Sequence, residues 1–238
     1  MKLRLLAILI LFLPALALYA QGSERNETTH SPVFTWGARV GFAATGTYIT
    51  DAHIDGHKLT EYTQDTQVGN FAGVLFRLNS KKLVLQTGLG LNFNKSSFYL
   101  DRNSWNPESE SKDVISCSYS MLSLTIPIQG GFHIVNRDQY CMTAFTGPRL
   151  RYSPDKYYSV KYSQMDPYDF TDQSTELILG WSLGLSVQIG RTFLDFEYEA
   201  TINNVSGPMF DTSGATPAPD YKLNRRAGII SFSYGIMF

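Results

Sequence analysis

ELILGWSLGLSVQIGRTFLDFEYEATIN, the run from Glu176 to Asn203, reads as two strands joined by a tight turn. Leu177, Leu179, Trp181, Leu183, Leu185, Val187 and Ile189 take every second position, with Ile178, Gly180, Ser182, Gly184, Ser186 and Gln188 between them. Alternation of this kind puts one set on each face of a strand. Gly190-Arg191 interrupts the run, and the pattern restarts. Leu194, Phe196, Tyr198, Ala200 and Ile202 share one face; Asp195, Glu197, Glu199, Thr201 and Asn203 share the other. A column of carboxylates is costly inside an ordinary sheet sandwich, because buried charge has to be paired. A sheet with lipid on one side and a polar lumen on the other accommodates it.

The rest of the chain repeats this hairpin. Residues 1–20 read as a signal peptide: Lys2 and Arg4 precede an apolar run, Leu5 to Leu18, that is too short to span a bilayer as a helix. Residues 21–33 read as a polar, disordered periplasmic leader, and residues 34–238 as the barrel. Strands are expected at Phe34 to Gly46, Val68 to Leu78, Leu83 to Phe98, Val114 to Ile134, Gln139 to Tyr152, the hairpin Glu176 to Asn203 with its turn at Gly190-Arg191, and the C-terminal Ile230 to Phe238. Their connections alternate long and short. That asymmetry, with an even strand number, belongs to all-β, eight-stranded, antiparallel up-and-down transmembrane β-barrels, whose long loops are extracellular and whose short turns are periplasmic. Closure also removes the strand edges that lipid cannot satisfy. A soluble lipocalin-like barrel is the alternative; it would crowd columns of Leu, Trp and Phe into a narrow interior.

Composition agrees. Tyr 14, Phe 15, Trp 3 and Gly 19 accompany a net charge of −1, so the chain is aromatic and glycine-rich without a basic surface for nucleic acid. The localisation expected is the cell outer membrane, with lipid as the surrounding partner.

TIPIQGGF at Thr125 to Phe132, AFTGPRLRY at Ala144 to Tyr152, the run Leu179 to Asn204 and the C-terminal FSYGIMF together resemble small outer-membrane β-barrel proteins of the Bacteroidetes type, PorT-like and called a porin family. The markers are a proline in the fourth strand, Gly-Pro in the fifth and a terminal aromatic. The resemblance implies an eight-stranded barrel in the outer membrane. It implies no catalytic residue and no cofactor.

Candidate functional residues fall into three groups. Arg39, Arg77, Arg149 and Arg151 face the lumen side with Glu176, Asp195, Glu197 and Glu199, four against four. An eight-stranded interior is just filled by side chains, so a salt-bridged plug is expected there rather than a conduction path. The first reading of function is a structural or surface-interaction role through the extracellular loops, and a narrow channel for ions or small solutes is the second. Asp51, His53, Asp55 and His57 alternate in the first long loop and offer a weak metal site, for which no further His or Cys is at hand. A rim enzyme using His53 or His57 with a loop serine is the third reading, and no motif supports it. Tyr157, Tyr158, Tyr162 and Tyr168 in the third long loop read first as girdle residues and ordinary loop packing, and second as a binding surface; the loops are where an extracellular or envelope protein partner is expected. A monomer is expected.

Two finer expectations follow from register. Leu183 and Leu185 should face mid-membrane, with Ser182→Asn next to them mild. Cys117 and Cys141 should be free thiols. Cys141 should sit opposite Phe132 or His133, and Cys117 on the order of 50 Å further up the fourth strand. Disulfide reach is about 7 Å between Cα atoms. Cys117 is then expected at the extracellular rim, open to maleimide.

Overall fold

The computed structural model describes residues 33–54, 57–58, 62–101, 114–137, 139–154, 158–163, 170–211 and 221–238. The signal peptide and almost all of the leader, Asp55, Tyr157 and Tyr168 lie outside these residues. Described segments form strands β1 (Val33–Ile54), β2 (His57–Lys58), β3 (Tyr62–Asp65), β4 (Gln67–Asn79), β5 (Leu83–Asp101), β6 (Val114–Arg137), β7 (Tyr140–Tyr152), β8 (Tyr158–Ser163), β9 (Phe170–Ser174), β10 (Leu177–Ile189), β11 (Thr192–Thr201), β12 (Ser206–Asp211) and β13 (Tyr221–Met237).

Eight of these strands make a ring. β1 pairs β4, then β5, β6, β7, β10, β11 and β13 follow, each antiparallel to the last, and β13 pairs β1 again. Sequential neighbours are therefore spatial neighbours all the way round. At the short-turn end, Gly190 takes φ of 59°, a left-handed conformation that glycine adopts without cost.

Side chains obey the alternation. Leu177, Leu179, Trp181, Leu183 and Leu185 point outward and are exposed, while Ile178, Ser182 and Ser186 are buried inside. On β11, Leu194, Phe196 and Tyr198 are outside, and Phe193, Asp195, Glu197 and Glu199 are inside. Outward aromatics gather where the chain's ends meet: Trp36 stacks on Phe238 with ring centroids 4.7 Å apart, and Phe34 on Phe76 at 6.2 Å.

The interior is less polar than the Gly/Ser columns suggest. Leu75, Phe193 and Met237 form an apolar cluster toward the short-turn end. Ala43, Met121, Ile178, Val205, Ala227 and Ile229 form a second cluster toward the long-loop end. Arg149, Glu197 and Glu199 lie between the two, while Arg77 packs on Phe193 within the short-turn cluster.

The strands also outrun their expected limits. β1 continues to Ile54 rather than stopping at Gly46, and β13 begins at Tyr221 within the expected last loop. β1 and β13 stay paired up to Ile54 and Tyr221, and β5 and β6 up to Asp101 and Val114. Above the membrane both faces of a strand tolerate polar residues, so Thr47, Thr50 and Asp51 disguise a strand as a loop. Inside, Thr47 Oγ1 hydrogen-bonds Ser96 Oγ at 2.8 Å and Tyr119 Oη at 3.0 Å. The long connections carry strands too: β2 on β1, β3 on β5, β8 on β6, and the separate pair β9–β12.

A third apolar cluster fills this upper part, made of Ala52, Phe98, Leu100, Ile115, Cys117, Tyr119 and Leu223. It corrects the expectation for Cys117, which is fully buried instead of rim-exposed. Cys117 and Cys141 form no disulfide with each other. Cys141 lies opposite Asn136, not Phe132 or His133, because β6 runs on to Arg137 and a bulge falls between His133 and Val135.

The expectation for Ser182 also changes. Its hydroxyl donates to the Gly147 carbonyl at 3.0 Å and accepts from Gln129 Nε2 at 2.8 Å, in a site with no exposed surface. Asn at this position adds volume to a packed site.

Leu183→Arg is expected to destabilise the barrel by about 2–4 kcal/mol, and Ser182→Asn by about 1–3 kcal/mol through overpacking. Urea unfolding in lipid vesicles measures both; a neutral Ser182→Asn would contradict the packing described. On intact cells a bulky maleimide is expected to label neither cysteine, since Cys117 is sealed in the upper cluster and Cys141 is half-buried at the periplasmic mouth. Labelling of both in denaturant provides the control.

Candidate functional site in the barrel lumen

Four strands, β1, β4, β7 and β11, supply the charged layer, and β10 makes room for it. β11 supplies Asp195, Glu197 and Glu199 on one face because they occupy alternate positions. β7 supplies Arg149 and Arg151 in the same way. β10 lies between β7 and β11, and what it puts inside is small: Gly180, Ser182 and Gly184. Those residues let the arginines reach over β10 to the glutamates. A Cβ on Gly180 would stand 2.9 Å from Glu199 Oε1, and one on Gly184 would stand 2.5 Å from the ring of Phe145.

The contacts form one network. Arg151 Nη2 donates to both Glu199 oxygens, at 2.9 and 2.8 Å. Arg149 donates from Nη1 to Glu199 at 3.2 Å and from Nη2 to Glu197. Across the lumen, Arg39 Nη1 on β1 reaches Glu197 Oε1 at 3.1 Å and Asp195 Oδ2 at 3.4 Å. Arg77 on β4 completes Asp195 at 3.3 Å, donates to Ser186 Oγ at 3.1 Å and to Gln86 Oε1 at 2.6 Å. Gln86 Nε2 in turn donates to Gln129 Oε1 at 2.9 Å, which ties the ion pairs to Ser182 on the far wall. Aromatic rings support two of the guanidinium groups: Phe71 lies 5.5 Å from Arg39 and Phe193 5.0 Å from Arg77.

Seven of the eight residues singled out from sequence thus meet in one place. Glu176 does not. It is exposed, just before β10, and its backbone carbonyl accepts from Ser153 N at 2.8 Å. Its alternation parity matches Ile178, but pairing of β10 with β7 begins at Leu177, so the inward rule no longer holds one residue earlier. The network therefore has four guanidinium groups against three carboxylates.

Sequence reasoning missed Arg225. It is fully buried above the charged layer, between the rings of Phe98 at 5.3 Å and Tyr119 at 5.0 Å. It lies between the expected last loop, which ends at Asn224, and Ile230, where the alternation of the last strand becomes visible. At the short-turn end, Cys141 Sγ lies 3.1 Å from His133 Nδ1, and Thr143 Oγ1 lies 2.9 Å from the same nitrogen. This polar trio lines the mouth below the apolar cluster.

The loop Asp/His group has a different geometry. Asp51 and His53 do share a face, with Oδ1 3.1 Å from Nδ1. Lys222 on β13 takes the other carboxylate oxygen at 3.1 Å. That ammonium hydrogen bond holds the Asp51 carboxyl below the ordinary carboxylate range. Lys58 stands opposite His53, and His57 opposite Ile54. Two lysines beside Asp51 and His53 oppose a divalent cation. Among the described residues no three His, Cys, Asp or Glu side chains cluster as a metal site would require.

Glu199→Gln is expected to cost about 3 kcal/mol, since it leaves Arg149 and Arg151 short of a buried counter-charge. Glu176→Gln, on an exposed residue, is expected to stay within about 0.5 kcal/mol. Equilibrium unfolding of the two variants side by side distinguishes a lumen role from a surface one.

A family model agrees with this architecture. The family model described as outer membrane protein beta-barrel domain matches residues 19–207, more than half of the chain. Among solved structures, the outer membrane protein OprG from Pseudomonas aeruginosa aligns at 12% identity over 87% of this chain and 97% of that one, with a TM-score of 0.49. Neisserial surface protein A aligns at 14% identity over 85% and 97%, with a TM-score of 0.43. The Escherichia coli outer membrane protease OmpT aligns at 8% identity over 89% and 99%, with a TM-score of 0.46. A search of curated protein sequences finds no match. The chain belongs to the outer membrane protein beta-barrel domain family, an eight-stranded antiparallel barrel of the outer membrane.

Proposed function

We propose that this barrel is a plugged scaffold that presents its extracellular extension to another envelope or extracellular protein. The observation that carries the reading is the filled lumen. Apolar clusters lie on both sides of a buried Arg–carboxylate network, and the cavities beside that network measure about 20 and 10 Å3. A hydrated ion needs an open path, and packed side chains fill the bore at the level of this network. The strands instead invest residues above the membrane, where β5 and β6 run together to Asp101 and Val114 and carry β3 and β8 on their edges. Loops on a rigid scaffold are where recognition is normally placed.

In this reading the protein is a monomer in lipid, needs no cofactor and catalyses no reaction. Its kinship to the Bacteroidetes PorT-like barrels is part of the same proposal and rests on the segments around Pro127, Gly147-Pro148 and the terminal FSYGIMF.

Purified protein in planar bilayers is expected to give no steady conductance at physiological salt, while a pull-down from outer membranes returns a protein partner that is lost when the extension is trimmed. Reproducible ohmic channels from the wild-type protein would favour the narrow channel instead.

A further inference from the structure

We infer that the lumen binds one small monovalent anion, of the size and charge of a halide, against Arg149 and Arg151. Three observations converge on the same spot. The first is charge: Arg39, Arg77, Arg149 and Arg151 surround only Asp195, Glu197 and Glu199, so the network carries one positive charge in excess. The second is unused donors. Arg149 Nε, Arg151 Nε and Arg151 Nη1 are buried and lack a hydrogen-bond partner, on side chains that are 6% and 2% exposed. The third is space. A cavity of about 20 Å3 is lined by Arg39, Arg149 and Arg151 together with Asn92, Thr125 and Glu199.

The chemistry of those donors selects the occupant. A guanidinium group offers N–H groups and accepts nothing. Both Glu199 oxygens are already engaged by Arg149 and Arg151. A water placed there could donate to Thr125 or Asn92, but it would leave the excess charge unbalanced. An anion accepts from every side and neutralises the charge, in a setting where an uncompensated buried ion is strongly unfavourable. Volume then limits the choice. Room for one water-sized occupant takes on the order of 10–15 Å3, so the cavity admits a single small ion and rejects sulfate or phosphate.

The packed side chains on either side imply that the ion is taken up as the barrel forms. The test therefore begins from denatured protein. Refolding in bromide, followed by crystallisation and anomalous diffraction at the bromine edge, is expected to give one peak inside the lumen within hydrogen-bonding distance of Arg149 or Arg151. Bromide found at the protein surface alone, with the cavity empty or holding water, overturns the proposal. A second measurement needs no crystal. Barrel refolded in chloride is expected to melt about 2–4 °C above barrel refolded in gluconate at the same ionic strength, because gluconate is too large for the cavity. Arg151→Gln leaves three guanidinium groups against three carboxylates, and its melting temperature is expected to be the same in both salts. An equal chloride effect in wild type and Arg151→Gln would place the ion elsewhere and also overturn the proposal.

Discussion

Lipid offers the backbone no hydrogen-bond partner, and everything else in this fold follows from that constraint. A sheet in lipid must close on itself. Here closure comes from β1 pairing with β13, Gly37 opposite Met237 through to Ile54 opposite Tyr221. Once the ring holds eight strands its bore is narrow, and side chains have to fill it. The alternation of each strand then decides what fills it. From Leu177 to Leu185 every second residue of β10 goes to lipid as Leu or Trp, and between Leu179 and Val187 the inward positions are Gly180, Ser182, Gly184 and Ser186.

The small inner face of β10 and the charged inner face of β11 are one arrangement. Glycine and serine at Gly180, Ser182 and Gly184 make a shelf over which Arg149 and Arg151 reach Glu197 and Glu199. Larger residues on β10 would separate the charges and leave them buried without partners. The ion pairs are thus held by a strand that contributes no charge. Asp195 and Glu197 extend the coupling to Arg39 and Arg77 on the opposite wall. The network spans the bore, tying strands that do not touch along their backbones.

The barrel, its faces and seven of the eight charged residues were legible in the sequence, because alternation reports face directly when one side is lipid. Legibility ended where that contrast ended. Glu176 had the right parity but lies outside the paired part of its strand. Thr47, Ile49 and Ala52 belong to a strand that leaves the membrane and crosses a bulge between Ile49 and Asp51, so polarity no longer reports face there. Cys117 and Arg225 were misjudged or missed for the same reason: the barrel continues above the membrane with its own apolar core. Register suffered from a second bulge, between His133 and Val135, which no residue pattern announces. Size is harder still to read than polarity. Ser182 looked replaceable because a small polar residue faces a polar lumen, yet its hydroxyl is clamped between Gln129 and Gly147.

The seam between β1 and β13 also bears on time. Seven of the ring's pairings join strands that follow one another along the chain, some across turns as short as that between Ile189 and Thr192. The eighth joins Gly37 to Met237, and Trp36 and Phe238 exchange backbone hydrogen bonds of 3.3 and 2.7 Å at its end. Closing a loop of that length costs only roughly 4 kcal/mol more than closing a tight hairpin, because the entropy grows with the logarithm of length. Speed is affected more than stability, since distant pairings slow the search. The hairpins can assemble early and locally, while the charges of β7 and β11 meet those of β1 and β4 only as the ring shuts. The last joint to form in the backbone is therefore also the step at which the lumen acquires its final electrostatic balance.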